Sequence, residues 1–136
     1  MSARSKARKR ALDLLYAAEI RRRSAAEWLD EQVASGEGPT NGYTTTLVSG
    51  VEEHRERIDQ LISSYSRDWS LERMPAVDRN LLRLGIFEIL YVDDVPDAVA
   101  VSEAVNLVRD LSTDESPAFV NGVLGNIVRD KAQLIR

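Results

Sequence analysis

Apolar residues recur along this chain at three- and four-residue intervals from end to end, and nowhere do apolar and polar positions alternate long enough for a strand. The pattern predicts an all-α protein of about six helices. A first helix over about 3–22 carries Leu12, Leu15, Tyr16 and Ile20 on one face. Ser24 and Glu27 form an S-x-x-E capping box that opens a second helix to about Val33, because each side chain can satisfy the other's orphan N–H. The stretch SGEGPTNG at 35–42 breaks it. A third helix, about 43–65, buries Leu47, Val51, Ile58, Leu61 and Ile62 and exposes EEHRER. Ser70 caps a short turn at 70–74, and Pro75 suits a first helical turn because its missing N–H costs nothing there.

The helix that follows, about 75–91, is apolar over a wide arc through Val77, Leu81, Leu84, Ile86, Phe87, Ile89 and Leu90, which makes it the expected centre of the fold. After VDDVP, a fifth helix over about 98–111 uses Val101, Val105, Leu107, Val108 and Leu111. Ser116 as cap with Pro117 at the first position opens the last, about 117–134. Short connections imply antiparallel neighbours, hence one bundle or two small bundles packed together. A chain of 136 residues is most simply one domain, 1–136.

Composition adds little: 43% apolar and 29% charged residues suit an ordinary globular protein. The absence of cysteine removes disulfides and thiolate chemistry and suits a reducing cytoplasm. The greasiest run, LGIFEILYV at 84–92, is interrupted by Glu88 and too short to span a bilayer, so no membrane association is expected. Charge changes the picture more. Residues 1–23 hold eight basic and two acidic side chains, net +6, while the remainder holds ten and twenty, net −10. A polyanion responds to that local field and not to the total of −4.

Catalytic chemistry is not advertised. The one histidine, His54, falls in the exposed EEHRER stretch, and no zinc-ligand spacing, phosphate loop or dinucleotide fingerprint occurs. Asp93/Asp94 and Asp114/Glu115 sit at helix boundaries, where carboxylates complement the dipole. The expectation is a protein that is not an enzyme and needs no cofactor or metal.

The basic start is the strongest signal. At 100° per residue, Arg4, Lys6, Arg8, Lys9 and Arg10 point to about 0°, 200°, 40°, 140° and 240°, in nearly every direction. They are therefore expected to project, as an arm over 1–10 or as the free end of the first helix. Such a density of cations repels itself unless a polyanion is present. Single-stranded RNA fits better than duplex DNA, since no second basic recognition helix exists. An anionic membrane would want basic and greasy faces on the same turns, and here they are sequential. If all five cations met phosphates, log affinity would fall with log salt at a slope of roughly −3.5. Base-reading groups must come from elsewhere. In STDESPAFVNGVLGNI at 112–127, Phe119 could stack on a splayed base while Asp114, Glu115 and Asn121 bond base edges. The same stretch also reads as a capped helix with Phe119 in the core.

These stretches carry a resemblance. ARKRALDLLYAAEI, AVDRNLLRLGIFEIL, DVPDAVAVSEAVNLVRDLS and SPAFVNGVLG keep the order and spacing of the NusB family of transcription antitermination factors over essentially the whole chain, and the short STDESP connection looks actinobacterial. The resemblance implies an all-helical fold of six or seven helices in two three-helix halves. It implies a heterodimer with the small-subunit ribosomal protein NusE that binds single-stranded boxA RNA in nascent ribosomal RNA leaders. That pair helps RNA polymerase, in an antitermination complex, read through terminators. RNA contacts would fall on Arg4, Lys6, Arg8, Lys9, Arg10, Tyr16, Glu115 and Phe119, and partner contacts on Arg83 and Glu88. A basic partner would also explain a carboxylate within the greasy 75–91 helix, where an unpaired charge is costly to bury; an ion pair with Arg83 or another basic side chain of the chain is the alternative. Some family members self-associate over the basic arm, so a homodimer is a further alternative.

Two competing readings stand beside it. One is a NusE-binding structural adaptor without RNA specificity. The other is the NusB-like accessory domain of an rRNA methyltransferase, which would be accompanied by a Rossmann-like domain whose cofactor motif is not found in 1–136.

Overall fold

The structure, a computed structural model, describes residues 2–67 and 69–135, and among these it contains seven α-helices and no strand. Met1, the first residue of the expected arm, lies outside the described residues. The chain divides into two compact units, Met1–His54 and Arg55–Arg136.

The first unit holds α1 (Ala3–Ile20), α2 (Ala25–Ala34) and α3 (Gly42–Glu53). Ser2 caps α1, its Oγ accepting from Ser5 N at 3.1 Å. The inward face of α1 is built on Ala7, Ala11, Leu14, Leu15 and Ala18 with Leu12; Tyr16 and Ile20, expected on that face, are exposed. The alanines leave room for a neighbouring helix, and Thr44 at the start of α3 donates its hydroxyl to the Ala7 carbonyl at 3.1 Å. α1 stops two residues earlier than its pattern suggests. Arg22 takes a left-handed φ of +53°, and Arg23 N reaches back to the Ala18 carbonyl at 2.9 Å. This termination usually recruits glycine, so no sequence signal marks it. Ser24 caps α2 as expected, its Oγ accepting from Glu27 N at 3.3 Å while donating to Glu52 of α3 at 3.0 Å.

The second unit holds α4 (Arg55–Tyr65), α5 (Ala76–Tyr91), α6 (Asp97–Leu111) and α7 (Ser116–Leu134). The expected 43–65 helix is thus two helices, interrupted at His54 with φ −104° and ψ 15°. Neither glycine nor proline marks the interruption. The apolar spacing runs on in phase from Val51 to Ile58, and the halves serve the cores of different units. α5 is the buried centre anticipated from its pattern: Leu81 to Ile89 are buried without exception. Gly85 belongs there because a Cβ would meet Leu124 Cδ1 of α7 at 2.8 Å. Arg79 closes the 70–74 turn by donating to the carbonyls of Leu71 and Met74 at 2.8 and 3.0 Å. At the start of α7, Glu115 is the N-cap residue and Ser116 the first helical one, a shift of one position.

Candidate nucleic-acid interface

Residues 3–10 do not form a projecting arm. They are the first turns of α1, with Ala7 and Arg8 buried. The reason is chemical: Arg4 and Arg8 are used by the fold. The Arg4 guanidinium carbon lies 4.3 Å from the Tyr43 ring centroid and that of Arg8 5.8 Å from it, and Arg8 is only 4% exposed. A weakly hydrated guanidinium stacks on an aromatic face where an ammonium would stay in water. The basic start therefore separates into two classes that composition cannot distinguish.

The other three cations are directed outward. Lys6 is exposed. Lys9 pairs with Asp13, Nζ to Oδ1 at 2.8 Å and to Oδ2 at 3.0 Å, an exposed i,i+4 contact. Such pairs contribute about 0.3–0.5 kcal/mol and yield readily to a competing anion. Arg10 donates one Nη2–H to the Glu37 carbonyl at 2.9 Å. On the helical wheel Lys6, Lys9, Asp13, Tyr16 and Ile20 share one stripe about 80° wide. Tyr16, 40% exposed, presents its ring on that stripe. The later run Arg21–Arg23 is largely committed: the guanidiniums of Arg21 and Arg23 lie 4.5 and 5.8 Å from the Trp28 ring centroid, and Arg23 pairs with Glu31, whose carboxyl is held below the usual range by that bond.

In the second unit, Glu115 and Asp114 are exposed at the mouth of α7, and the Glu115 side chain makes no capping bond. Beneath them Ser116 is fully buried, its Oγ accepting from Thr113 N at 3.3 Å and contacting Ser112 Oγ at 3.2 Å. Ser112 in turn donates to Asp78 Oδ1 at 2.6 Å. This hydroxyl chain fixes the connection between α6 and α7. Phe119 is half-buried, edge-on to Trp69 with centroids 4.9 Å apart. It borders an open groove of about 650 Å³ together with Tyr65, Arg67, Asn126, Arg129 and Asp130. The Tyr65 hydroxyl donates to Asp130 Oδ2 at 2.6 Å, which raises its pKa. The Asp130 carboxyl is held low by Arg129, Nε to Oδ1 at 3.0 Å, and by Tyr65. Phe119 is thus neither a core residue nor a free platform: its ring is held in a T-shaped contact with Trp69. Asn121 does not join it and lines a separate groove with Val101, Val105 and Arg109.

Arg83 and Glu88 are not on a surface. Arg83 is 5% exposed and clamps Asp59, Nε to Oδ1 at 2.8 Å and Nη2 to Oδ2 at 3.1 Å, with Nη1 donating to Asn80 Oδ1 at 3.0 Å. Glu88 is 2% exposed. Both side chains of the expected partner-binding pair are thus enclosed within the chain. The sequence pointed to neither Tyr43 nor the Trp69 support of Phe119, because an aromatic's partner in a distant element leaves no local pattern. The 35–42 stretch, read only as a break, turns out to meet Arg10 through the Glu37 carbonyl.

Seven helices and no strand among the described residues, with Lys6 exposed on the first helix beside Lys9, define a recognisable class. Residues 5–129 match the model of the NusB family. The chain belongs to the NusB family. It is 69% identical over 134 residues to the transcription antitermination protein NusB of Nocardioides sp. (strain ATCC BAA-499 / JS614), covering 98% of this chain and 99% of that protein. Among solved structures, a T. maritima NusB superposes with a TM-score of 0.85 at 32% identity, over 96% of this chain and 94% of that one. A structure of antitermination factors NusB and NusE in complex with dsRNA matches with a TM-score of 0.79 at 29% identity, over 93% and 96%.

Proposed function

We propose that this chain is a transcription antitermination factor that binds boxA RNA in nascent ribosomal RNA leaders together with NusE, as part of an RNA polymerase antitermination complex in the bacterial cytoplasm. Residues 1–136 act as one RNA-binding domain. The observation that carries the reading is the outward set Lys6, Lys9 and Arg10 on α1 beside exposed Tyr16, in a chain of this family. The set supplies positive charge without a sequence preference. Preference comes from Phe119, half-exposed for stacking, and from the Glu115 carboxylate, free of any capping duty at the α7 mouth. Arg4 and Arg8 hold α1 in place through Tyr43 and contribute to binding indirectly.

Single-stranded RNA is favoured because Phe119 can stack only on an unpaired base, although the solved relative in complex with NusE holds dsRNA. The test is binding of a labelled boxA-type RNA, single-stranded and annealed, with a scrambled control, with and without NusE. Preference for the single-stranded motif that tightens with NusE supports the reading. Equal binding of motif and scramble in both conditions removes RNA specificity and leaves a NusE-binding adaptor.

A further inference from the structure

The groove of about 650 Å³ beside Phe119 follows one side of α7, and its lining includes Gly122, Asn126 and Arg129. Phe119, Gly122 and Asn126 fall within an arc of about 60° on the helix, with Asn126 about 10 Å along the axis from Phe119. Gly122 has no duty inside the chain. It is exposed in a helix interior, where glycine is less favourable than alanine, and it takes no positive φ. A Cβ placed on it would meet nothing within 4 Å, whereas Gly85 is demanded by Leu124. Neither packing nor backbone conformation asks for glycine at 122; an unobstructed floor next to a half-exposed ring does.

Asn126 is held in one orientation. Arg129 Nη1 donates to Asn126 Oδ1 at 3.2 Å. Arg129 is itself fixed on Asp130, Nε to Oδ1 at 3.0 Å and Nη2 to Oδ2 at 3.2 Å, and the Tyr65 hydroxyl donates to that same Oδ2. With its oxygen taken, the exposed Asn126 amide offers the groove its Nδ2 donors, which make no hydrogen bond with other described residues. An asparagine that reads adenine needs its oxygen for the N6 amino group. Donors alone suit the carbonyl of a keto base, uracil O4 or guanine O6, over the amino group that cytosine or adenine carries there.

We infer that this face of α7 seats one unpaired keto base, which stacks on Phe119 over the bare floor at Gly122 and is read by Asn126. The inference rests on the RNA reading above and adds to it the residue that selects the base. Arg129, Asp130 and Tyr65 are positioning residues that keep the Asn126 donors turned to the groove. A free nucleotide offers the same ring and carbonyl, so the experiment separates the sources.

Gly122→Ala sets stability against binding. It should raise the melting temperature by about 3 °C, because alanine favours the helix, and yet weaken single-stranded boxA RNA binding by fivefold or more. Gly125→Ala makes the same helix change on the groove that Asn121 lines. It should raise melting similarly and change RNA affinity by less than twofold, measured with NusE at a concentration that saturates every variant. Each uracil of the RNA is then replaced by cytosine, and each guanine by adenine, one at a time. At one position the wild type should lose about fivefold, and Asn126→Ala should lose nothing there. The proposal is overturned if the two alanine variants bind RNA equally well, or if every penalty survives unchanged in Asn126→Ala. If the wild type binds no RNA with or without NusE, the RNA reading has failed, and titrations with uridine and guanosine monophosphate decide. Saturable amide shifts over 119–126 that vanish in Gly122→Ala keep the seat for a free nucleotide; their absence removes it.

Discussion

Arg83 of α5 grips Asp59 of α4 through two parallel N–H···O bonds of 2.8 and 3.1 Å, from a position that is almost wholly buried. The pair joins two helices of the second unit and leaves Arg83 structural. Arg83→Ala should cost about 3 kcal/mol, the lower end of the range for breaking a buried pair, because Asp59 retains some contact with water. Urea unfolding checks the magnitude, and the double change with Asp59→Ala should recover part of the loss. Under conditions where the variant is folded, its affinity for NusE should match the wild type.

Close packing of α5 on α7 turns on one missing side chain. Gly85→Ala pushes a methyl against fully buried Leu124, and should destabilise by about 1–3 kcal/mol. Combining it with Leu124→Val should return part of that energy, so the double-variant free energy falls short of the sum of the singles.

The bonds that Asp130 receives from Arg129 and Tyr65 predict opposite behaviour at the two ends of the pH scale. The raised Tyr65 pKa stabilises the fold at pH values below the ordinary tyrosine range, and that contribution disappears as pH climbs through the raised value. The depressed Asp130 pKa stabilises it above the ordinary carboxylate range, and that contribution disappears as pH drops through the depressed value. Asp130→Asn should bring the Tyr65 titration, followed by NMR, down toward the ordinary value. Tyr65→Phe should lower the melting temperature near neutrality, and the difference from wild type should shrink at strongly alkaline pH.

Most of the fold was legible because it rests on local signals. The wide apolar arc of 75–91, the serine cap at 24 and the prolines at 75, 96 and 117 each mark an element within a few residues of where it lies. The interruption at His54 was not legible, since the apolar phase continues across it. Neither was the end of α1, where Arg22 takes a conformation usually left to glycine. At the site, the basic residues could be counted but not sorted: only Tyr43, more than thirty residues away in sequence, separates Arg4 and Arg8 from Lys6, Lys9 and Arg10. The burial of Glu88 was not legible for a related reason, as a charge in a greasy helix reads equally well as an interface or as an enclosed group.

Tyr43→Leu keeps most of the apolar bulk and removes the ring face used by Arg4 and Arg8. Loss of those contacts should destabilise the first unit by about 1 kcal/mol. Hydrogen exchange should show it as reduced protection in α1 and α3, with α5 to α7 unchanged.

The central claim is that only the outward cations of α1 meet RNA phosphates, and the salt dependence of boxA RNA binding tests it most directly. The triple variant Lys6→Gln, Lys9→Gln, Arg10→Gln should flatten the slope of log affinity against log salt by about 2, which is three contacts at about 0.7 each. Arg4→Gln should leave the slope unchanged, because that guanidinium is stacked on Tyr43. A triple variant with the wild-type slope, or an Arg4→Gln variant that flattens it as much as Lys6→Gln does, contradicts the account.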